Sequence, residues 1–319
     1  MPELNADNAA GYLRQRGLPG AWRAVPLGGG VSNTVLLAQD GERRVVIKQS
    51  LGKLRVQEDW FAARERIWRE CAALRALAPL LPAGSVPAVV FEDRDNFVYA
   101  MEAAPAGARD WKSMLLEGET GDDTARRAGE ILAALIRCSR GGEAWLAMFA
   151  GQTSFDQLRL DPYYRFTAAR HPDLAPTFDA AIAACRRPLA LVHGDYSPKN
   201  LLVAGSSVLL IDFEVIHIGN PAFDAAFLLN HLLLKAAHRP QWRDRYAACA
   251  TAFWDALDEP DAGFEPETIR QLGCLHLARA DGKSPAEYLD GPTREAVRRR
   301  ARRLILDPPP SVRSVFETC

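Results

Sequence analysis

His193-Gly194-Asp195-Tyr196-Ser197-Pro198-Lys199-Asn200 is the stretch of this 319-residue chain whose side chains are of the types and spacing to do chemistry together. Asp195 and Asn200 are five residues apart, and Asp212 follows twelve further on, just past the apolar run Val208–Ile211. A carboxylate so placed can orient and deprotonate an attacking hydroxyl. An amide oxygen and a second carboxylate are hard donors of the kind that holds Mg²⁺ against a triphosphate. The chemistry described is transfer of a phosphoryl group onto a hydroxyl. A surface turn is the plain alternative, since Gly, Asp, Ser, Pro and Asn are turn formers. The strand-like run reaching Asp212 at the required distance argues against it.

The spacing is that of the kinase catalytic loop and its metal-binding aspartate, with His-Gly-Asp for His-Arg-Asp and Asp212-Phe213-Glu214 for Asp-Phe-Gly. Such a site needs an upstream half. Leu27-Gly28-Gly29-Gly30-Val31-Ser32-Asn33-Thr34-Val35 lies between two β-like segments, where glycines let backbone N–H groups approach phosphate oxygens. Gly28, Gly29 and Gly30 are candidates for that contact, and Ser32 and Asn33 at the tip are candidate donors. The segment is neither G-x-x-x-x-G-K-[ST] nor a complete G-x-G-x-x-G, so a P-loop fold is disfavoured. Val45-Val46-Ile47-Lys48 fits the strand whose lysine pairs the α- and β-phosphates. From Trp60 to Ala78 the residues Ile67, Cys71, Leu74 and Ala78 recur at helical spacing, with Glu58 and Asp59 as first-turn acids. Taking Ile67 as zero, Glu70 falls about 60° from the apolar stripe's centre and Glu65 about 160° away. Glu70 therefore borders the buried face and is the expected ion-pair partner of Lys48, whereas Glu65 faces water. Phe97–Glu102 then enters Ala103-Ala104-Pro105-Ala106-Gly107, where backbone groups of Glu102 and Ala104 are the expected readers of adenine. ATP and GTP are equally compatible donors.

These groups need elements to carry them. Strands are expected at Ala24–Leu27, Thr34–Ala38, Val45–Gln49, Val86–Phe91 and Asn96–Glu102. Past the Ala/Pro/Gly segment the pattern turns mostly helical, apart from apolar runs at Leu189–Val192, Leu201–Val203 and Val208–Ile211. The reading is an α+β, bilobal, protein-kinase-like fold. Residues 1–104 form a small antiparallel-sheet lobe with one helix, and 105–319 a larger helical lobe with the catalytic and acceptor sites. With 39 basic and 40 acidic residues the net charge is −1, and the lobes carry +1 and −2. Nothing there calls for nucleic acid or an anionic membrane. The run Arg294 to Arg303 sits on an expected helix with Val297, Ala301, Leu304 and Ile305 as its apolar positions, and reads as a solvated face. The start of the chain is not a secretory signal, and no apolar run approaches the 18 or so residues of a membrane span. Six scattered cysteines without a C-x-x-C pair point to reduced thiols in the cytoplasm.

Taken together, these residues resemble the aminoglycoside phosphotransferase superfamily, which includes choline kinases and methylthioribose kinases. The resemblance runs from about Pro26 to Leu289 and is strongest from Leu191 to Leu234. It implies Asp195 as catalytic base, His193 as support of the loop, and Asn200 and Asp212 as Mg²⁺ ligands. Glu214 is left between a second metal contact through water and a local hydrogen bond, and Lys199 between γ-phosphate neutralisation and solvation. Gly219-Asn220-Pro221-Ala222-Phe223-Asp224 resembles the family's G-D-P-A-x-D segment with Asn220 for the usual acid, which implies that Asp224 braces the loop. The segment Ala278–Pro285 is familiar from family members, but no chemical role follows for it.

The acceptor is expected between the catalytic loop and the C-terminal helices, with Asp161, Tyr163 and Tyr164 as candidates that are equally caps or core aromatics. Trp242, Tyr246, Phe253 and Trp254 could cage a quaternary ammonium or simply pack the core. An aminoglycoside, a sugar, a nucleoside-like alcohol and an amino alcohol all remain open. The competing class is a kinase-fold module that binds nucleotide or ligand without turnover. Retention of Lys48, Asp195, Asn200 and Asp212 together favours the enzyme. The chain lacks an Ala-Pro-Glu segment after Asp212, which disfavours a protein substrate.

Overall fold

The β-like segments of the first hundred residues assemble into one antiparallel sheet in a computed structural model, which describes residues 3–28, 33–52, 64–259 and 261–317. The strands are β1 (Arg23–Pro26), β2 (Asn33–Asp40), β3 (Arg43–Ser50), β4 (Val89–Asp93) and β5 (Val98–Glu102), in the order β1-β2-β3-β5-β4. Two expected starts move inward. β4 begins at Val89 rather than Val86, since Pro87 has no N–H to give to a ladder. β5 begins at Val98, because Arg94–Asn96 forms a 3₁₀ turn closed by Phe97 at φ 55°.

Side chains alternate across β3, and both of its faces are covered. Val45 and Ile47 join Leu36, Ala38 and Val98 in a core with Tyr12 and Leu13, from the helix Ala6–Gln15. Asn5 caps that helix, its side chain accepting from the Asp7 and Asn8 N–H groups at 3.0 Å. Val46 and Lys48 point to the other face, toward the helix Arg66–Leu77, which buries Ile67, Glu70, Cys71, Ala73, Leu74 and Leu77. Glu65 is exposed. The helix's expected beginning at Trp60, with Glu58 and Asp59, lies outside the described residues.

The chain divides into two compact units, Met1–Pro79 with Val86–Ala106, and Leu80–Ser85 with Gly107–Cys319. Leu80–Ser85 thus belongs with the C-terminal unit, where the Ser85 carbonyl accepts from Leu210 N–H at 2.7 Å. That unit is mostly helical, matching the expected α+β class. Among its strands, β6 (Arg109–Asp110) pairs with β8 (Leu201–Ala204), and β8 forms a hairpin with β9 (Ser207–Leu210). β7 (Ala190–Val192) pairs antiparallel with β10 (His217–Gly219). The helix Ala222–His238 is buried at every position from 222 to 236, which accounts for its apolar stretches Ala225–Leu229 and Leu232–Leu234. No helix among the described residues is long and apolar enough to cross a membrane. Among the described residues Cys71, Cys138, Cys185, Cys249 and Cys274 are free thiols.

Two long helices of this unit, Asp122–Ser139 and Arg243–Leu257, approach closely at Gly129. A Cβ there would lie 2.4 Å from the Phe253 carbonyl oxygen and 2.8 Å from Ala256 Cβ. Gly129→Ala should therefore destabilise the chain by roughly 1–3 kcal/mol through overpacking, despite alanine's better helix propensity. Thermal denaturation checks this; an unchanged or raised midpoint would contradict the close approach.

Candidate active site

The residues singled out from 193 to 214 converge because two short strand pairs hold both ends of their loops. The chain leaves β7 at His193 and turns through Gly194, whose φ of +78° and proximity to Val215 leave no room for a side chain. A Cβ there would lie 2.9 Å from Val215 Cγ1. Pro198–Asn200 then make one 3₁₀ turn leading into β8. The hairpin returns through β9 to Asp212, which adopts φ 72°, an uncommon conformation for a residue with a side chain. Strain of that kind costs on the order of 1–3 kcal/mol and persists where surrounding structure enforces it.

The enforcement is a set of buried hydrogen bonds. Asp224, fully buried in the first turn of the helix Ala222–His238, accepts from His193 N–H at 2.6 Å and from Gly194 N–H at 2.9 Å. Burial pushes its carboxyl up to about 7 against those two donors, which favour the charged form. His193 Nε2 lies 3.1 Å from the Ile211 carbonyl, and its Nδ1 accepts from Asp195 N–H at 3.2 Å, so the hydrogen-bond pattern places the proton on Nε2. Burial pushes this imidazole down to about 4, which keeps it neutral at physiological pH. Its ring packs edge-on against Phe213, 4.7 Å between centroids. Asn200 closes the loop: its Nδ2 donates to the Asp195 carbonyl at 2.9 Å and its own carbonyl accepts from Ile211 N–H at 3.0 Å.

Asp195 is 4% exposed. Its Oδ2 lies 2.8 Å from Lys199 Nζ and 3.1 Å from Arg159 Nη2. Burial works to raise the carboxyl, but the Arg159 and Lys199 charges outweigh it and hold the group below the ordinary value. Arg159 also donates from Nε to the Gly194 carbonyl at 2.6 Å, and feels the charges of Asp195, Glu214 and Asp212. His193, Asp195, Lys199 and Asn200 thus lie together on one loop, and Asp212 and Glu214 are within electrostatic range of Arg159. Among the described residues no set of three or more His, Cys, Asp or Glu side chains could by itself hold a metal. The oxygen donors on offer are two carboxylates and an amide, a set that suits Mg²⁺, which takes few protein ligands and keeps waters and phosphates.

Arg159 was not foreseen. It projects from Asp156–Arg165, a π-helical stretch in which Phe166 N–H reaches back five residues to the Asp161 carbonyl and Pro162 gives no N–H. Such stretches are rare and gather at functional sites. Its partner lies 36 positions downstream, so no local spacing could have flagged it. The familiar segment Ala278–Pro285 now has a structural place. Lys283 N–H donates to the Pro162 carbonyl at 3.0 Å, and Gly282 sits where a Cβ would be 2.4 Å from Ala278 O and 3.1 Å from Pro162 O. The segment therefore clasps the stretch that carries Arg159.

In the N-terminal unit Lys48 Nζ lies 2.6 Å from Glu70 Oε2, with both residues nine-tenths or more buried. Asn33 begins β2 and is buried, and among the described residues no atom lies within 4 Å of where a Cβ on Gly28 would stand. Gly29, Gly30 and Ser32 lie outside the described residues. Glu102 N–H is taken by the Ala88 carbonyl at 2.9 Å, and the Ala104 carbonyl accepts from Arg44 Nη1 at 2.7 Å.

Of the acceptor candidates, Tyr164 is core, its hydroxyl donating to Gln271 Oε1 at 2.6 Å, and Asp161 is an exposed partner of Arg165. Tyr163 faces Phe227 and Arg279. The proposed aromatic cage does not form: Tyr246 and Phe253 are fully buried, Trp254 stacks on Phe264 and Trp242 packs over Gly118. The C-terminal arginines are spent internally, Arg298 on Asp281, Arg302 on Asp173 and Arg300 on the Val315 carbonyl.

A model of the phosphotransferase enzyme family matches residues 23–260, well over half of the chain. The chain belongs to the phosphotransferase enzyme family. Among its relatives, methylthioribose kinase of Escherichia coli O45:K1 (strain S88 / ExPEC) is 27% identical over 278 residues. The match covers 75% of this chain and 66% of that relative's length. The macrolide 2'-phosphotransferase of Brachybacterium faecium shares the fold with a TM-score of 0.54 at 18% identity, over 95% of this chain and 99% of that one. A choline/ethanolamine kinase family protein from Mesorhizobium loti does so with a TM-score of 0.54 at 17% identity, over 98% and 99%. These establish the protein-kinase-like fold of the phosphotransferase.

Removing the guanidinium beside Asp195 isolates its electrostatic effect. Arg159→Met should raise the Asp195 pKa, because a cation in contact with a carboxylate favours its charged form. A carbon-13 titration of labelled aspartate reads this directly, and an unmoved Asp195 titration would show that Arg159 does not set its charge.

Proposed function

We propose that the chain transfers the γ-phosphoryl group of a nucleoside triphosphate, ATP or GTP, to a hydroxyl of a small molecule, with Asp195 as the base. The observation that carries this reading is the Asp195 carboxylate itself. It is buried, held ionised by two cations, and seated on a loop whose His193, Gly194 and Asp195 N–H groups and Asp195 carbonyl are tied to Asp224, His193 and Asn200. An ionised carboxylate is an acceptor only, so an incoming hydroxyl donates to it and is aimed by it. His193, neutral and buried, keeps the backbone of Asp195 in register and takes no proton. Lys199 and Arg159 stand where negative charge on a transferring phosphoryl group would be stabilised.

Asn200 and Asp212 are the residues that would hold Mg²⁺, with Glu214 beside them. The ion would neutralise phosphate charge and orient the donor. In the N-terminal unit, Lys48, kept in place by Glu70, would bind the donor's α- and β-phosphates. The glycine-rich segment with Gly28 and Asn33 would cover the phosphates, and backbone groups of Glu102 and Ala104 would read the base. A sugar, a nucleoside-like alcohol, an amino alcohol or a hydroxylated antibiotic all present a suitable nucleophile, as methylthioribose and macrolides do for the relatives named above. The free thiols and the triphosphate donor suit the cytoplasm.

With γ-labelled donor, Mg²⁺ and an accepted alcohol, Asp195→Asn should cut turnover on the order of a hundredfold or more while donor affinity changes little. Turnover within a factor of about two would remove Asp195 from the reaction. Lys48→Ala should weaken productive donor positioning by about tenfold or more in kcat/KM. If donor affinity and transfer rate both stay as in the wild type, the phosphates do not sit at Lys48.

A further inference from the structure

The helix Ala222–His238 anchors the loop at one end, and toward its other end it carries an unusual burial of positive charge. Lys235 is 0% exposed, and its only hydrogen bond among the described residues is a long one, 3.4 Å to the His231 carbonyl. Its ammonium lies 5.7 Å from the centroid of the Tyr288 ring, whose hydroxyl is buried without a hydrogen-bond partner among the described residues. His231 lies one turn earlier, 9% exposed, with Nδ1 likewise unpartnered. Arg279, 8% exposed, donates to the Ser284 carbonyl and hydroxyl and, at 3.4 Å, to the Tyr163 hydroxyl, lies 3.8 Å from the Glu287 carboxylate, and keeps an Nε without a hydrogen-bond partner among the described residues. Lys112 stands at the rim, 31% exposed, 2.5 Å from the more exposed Glu287. A buried ammonium with no carboxylate in contact is costly, and proteins normally pair or omit such a group.

The charges around this set are lopsided. Those acting on His231 are Lys235, Arg279, Lys199 and Lys112, all positive. Lys235 faces Lys112 and Arg279 against Glu287 and Asp110. Burial and the first two push its ammonium down to about 7, so that an arriving anion would restore its proton. The set adjoins the candidate base: Arg159, which touches Asp195, lies over the Phe227 ring at 5.8 Å, and that ring meets His231 at 5.3 Å and Tyr163 at 5.9 Å. Along the helix, Asp224 and His231 are about 10 Å apart, within the reach of one small metabolite.

We propose that Lys235, His231 and Arg279, with Lys112 at the rim, form an oxyanion subsite, and that the hydroxyl compound presented to Asp195 carries a carboxylate or phosphate group held there. The inference rests on the phosphotransferase reading above and narrows it, away from polycationic aminoglycosides and quaternary amines and toward hydroxy acids or sugar phosphates. It also gives the Ala278–Pro285 segment a second task, since that segment fixes Arg279.

The test uses the full chain and simple anions. Thermal midpoints are measured in sodium phosphate and in sodium acetate, each against sodium chloride of equal ionic strength. Phosphate or acetate should raise the wild-type midpoint by about 2 °C or more beyond chloride once well above half-saturation. Lys235→Met should abolish that excess, whereas Lys48→Met should keep it, which separates this site from the donor-phosphate site. If Lys235→Met does not fold, Lys112→Met serves, with the excess at least halved. No excess in the wild type, or an excess undiminished by the folded variant, overturns the subsite. In a second arm, γ-labelled donor is offered with glucose, glucosamine, gluconate and glucose 6-phosphate. An anionic member should exceed the neutral and cationic ones by about tenfold or more in kcat/KM, with KM raised by Lys235→Met. Glucose or glucosamine as the better acceptor would reject the subsite and leave phosphotransfer standing. Absence of Mg²⁺-dependent nucleotide binding by the wild type would instead sink the phosphotransfer reading, a failure the anion titration cannot produce.

Discussion

The carboxylate of Asp224 receives two consecutive backbone N–H groups, those of His193 and Gly194, in complete burial. Left alone, each of those donors would cost on the order of 1–3 kcal/mol. The turn that they occupy needs glycine's left-handed backbone, and the carboxylate is what makes the turn worth adopting. Because Asp224 belongs to a helix buried through most of its length, the loop is attached to the interior of its unit. His193 passes the constraint on, through Ile211, to the hairpin that ends at Asp212, and Asn200 ties the same hairpin from its other strand. Loop, hairpin and strained aspartate are therefore one mechanical piece.

On that frame the charges are arranged for chemistry more than for stability. Buried ion pairs repay their desolvation poorly, and well-packed apolar residues often serve the fold as well or better. Yet Lys48 with Glu70, at 2.6 Å, and Asp195 with Arg159, at 3.1 Å, are held in places with little water, and the half-exposed Lys199 reaches Asp195 at 2.8 Å. Asp195 shows the balance: burial would neutralise it, two cations prevent that, and the group stays an ionised acceptor. The π-helical stretch matters because it sets Arg159 where an ordinary helical turn would not, and the Gly282 clasp holds that stretch.

The helix Ala222–His238 links the two halves of the functional proposal. Its first turn steadies the loop, and its later turns bear His231 and Lys235 on the face that also presents Phe227. A single rigid rod thus relates the reacting hydroxyl to whatever anchors the far end of the acceptor. Acceptor choice within such a fold can change through residues on that rod while the loop chemistry is left alone.

Much of the site could be read directly from the chain, because its parts lie close together in sequence. The distance from Asp195 to Asn200, the run ending at Asp212 and the likeness of residues 219–224 to a known segment are all local, and short-range geometry follows from short-range spacing. Glu70 was legible for a similar reason: helical phase alone put it beside the apolar stripe and Glu65 in water. The five N-terminal strands were visible from alternation, with their edges shifted where Pro87 and the turn before Phe97 interrupt the ladder. Arg159, the cation set around Lys235 and the clasp at Gly282 were not legible. Their partners lie 36, 44 and 120 positions away, on elements that only packing brings together. The same holds for the side chains of Trp242, Tyr246, Phe253 and Trp254, whose fates were decided by which helices met. Residue type and spacing determined which chemistry the chain could perform; long-range burial decided which charges surround it, since a charge's meaning depends on the dielectric and neighbours that folding supplies.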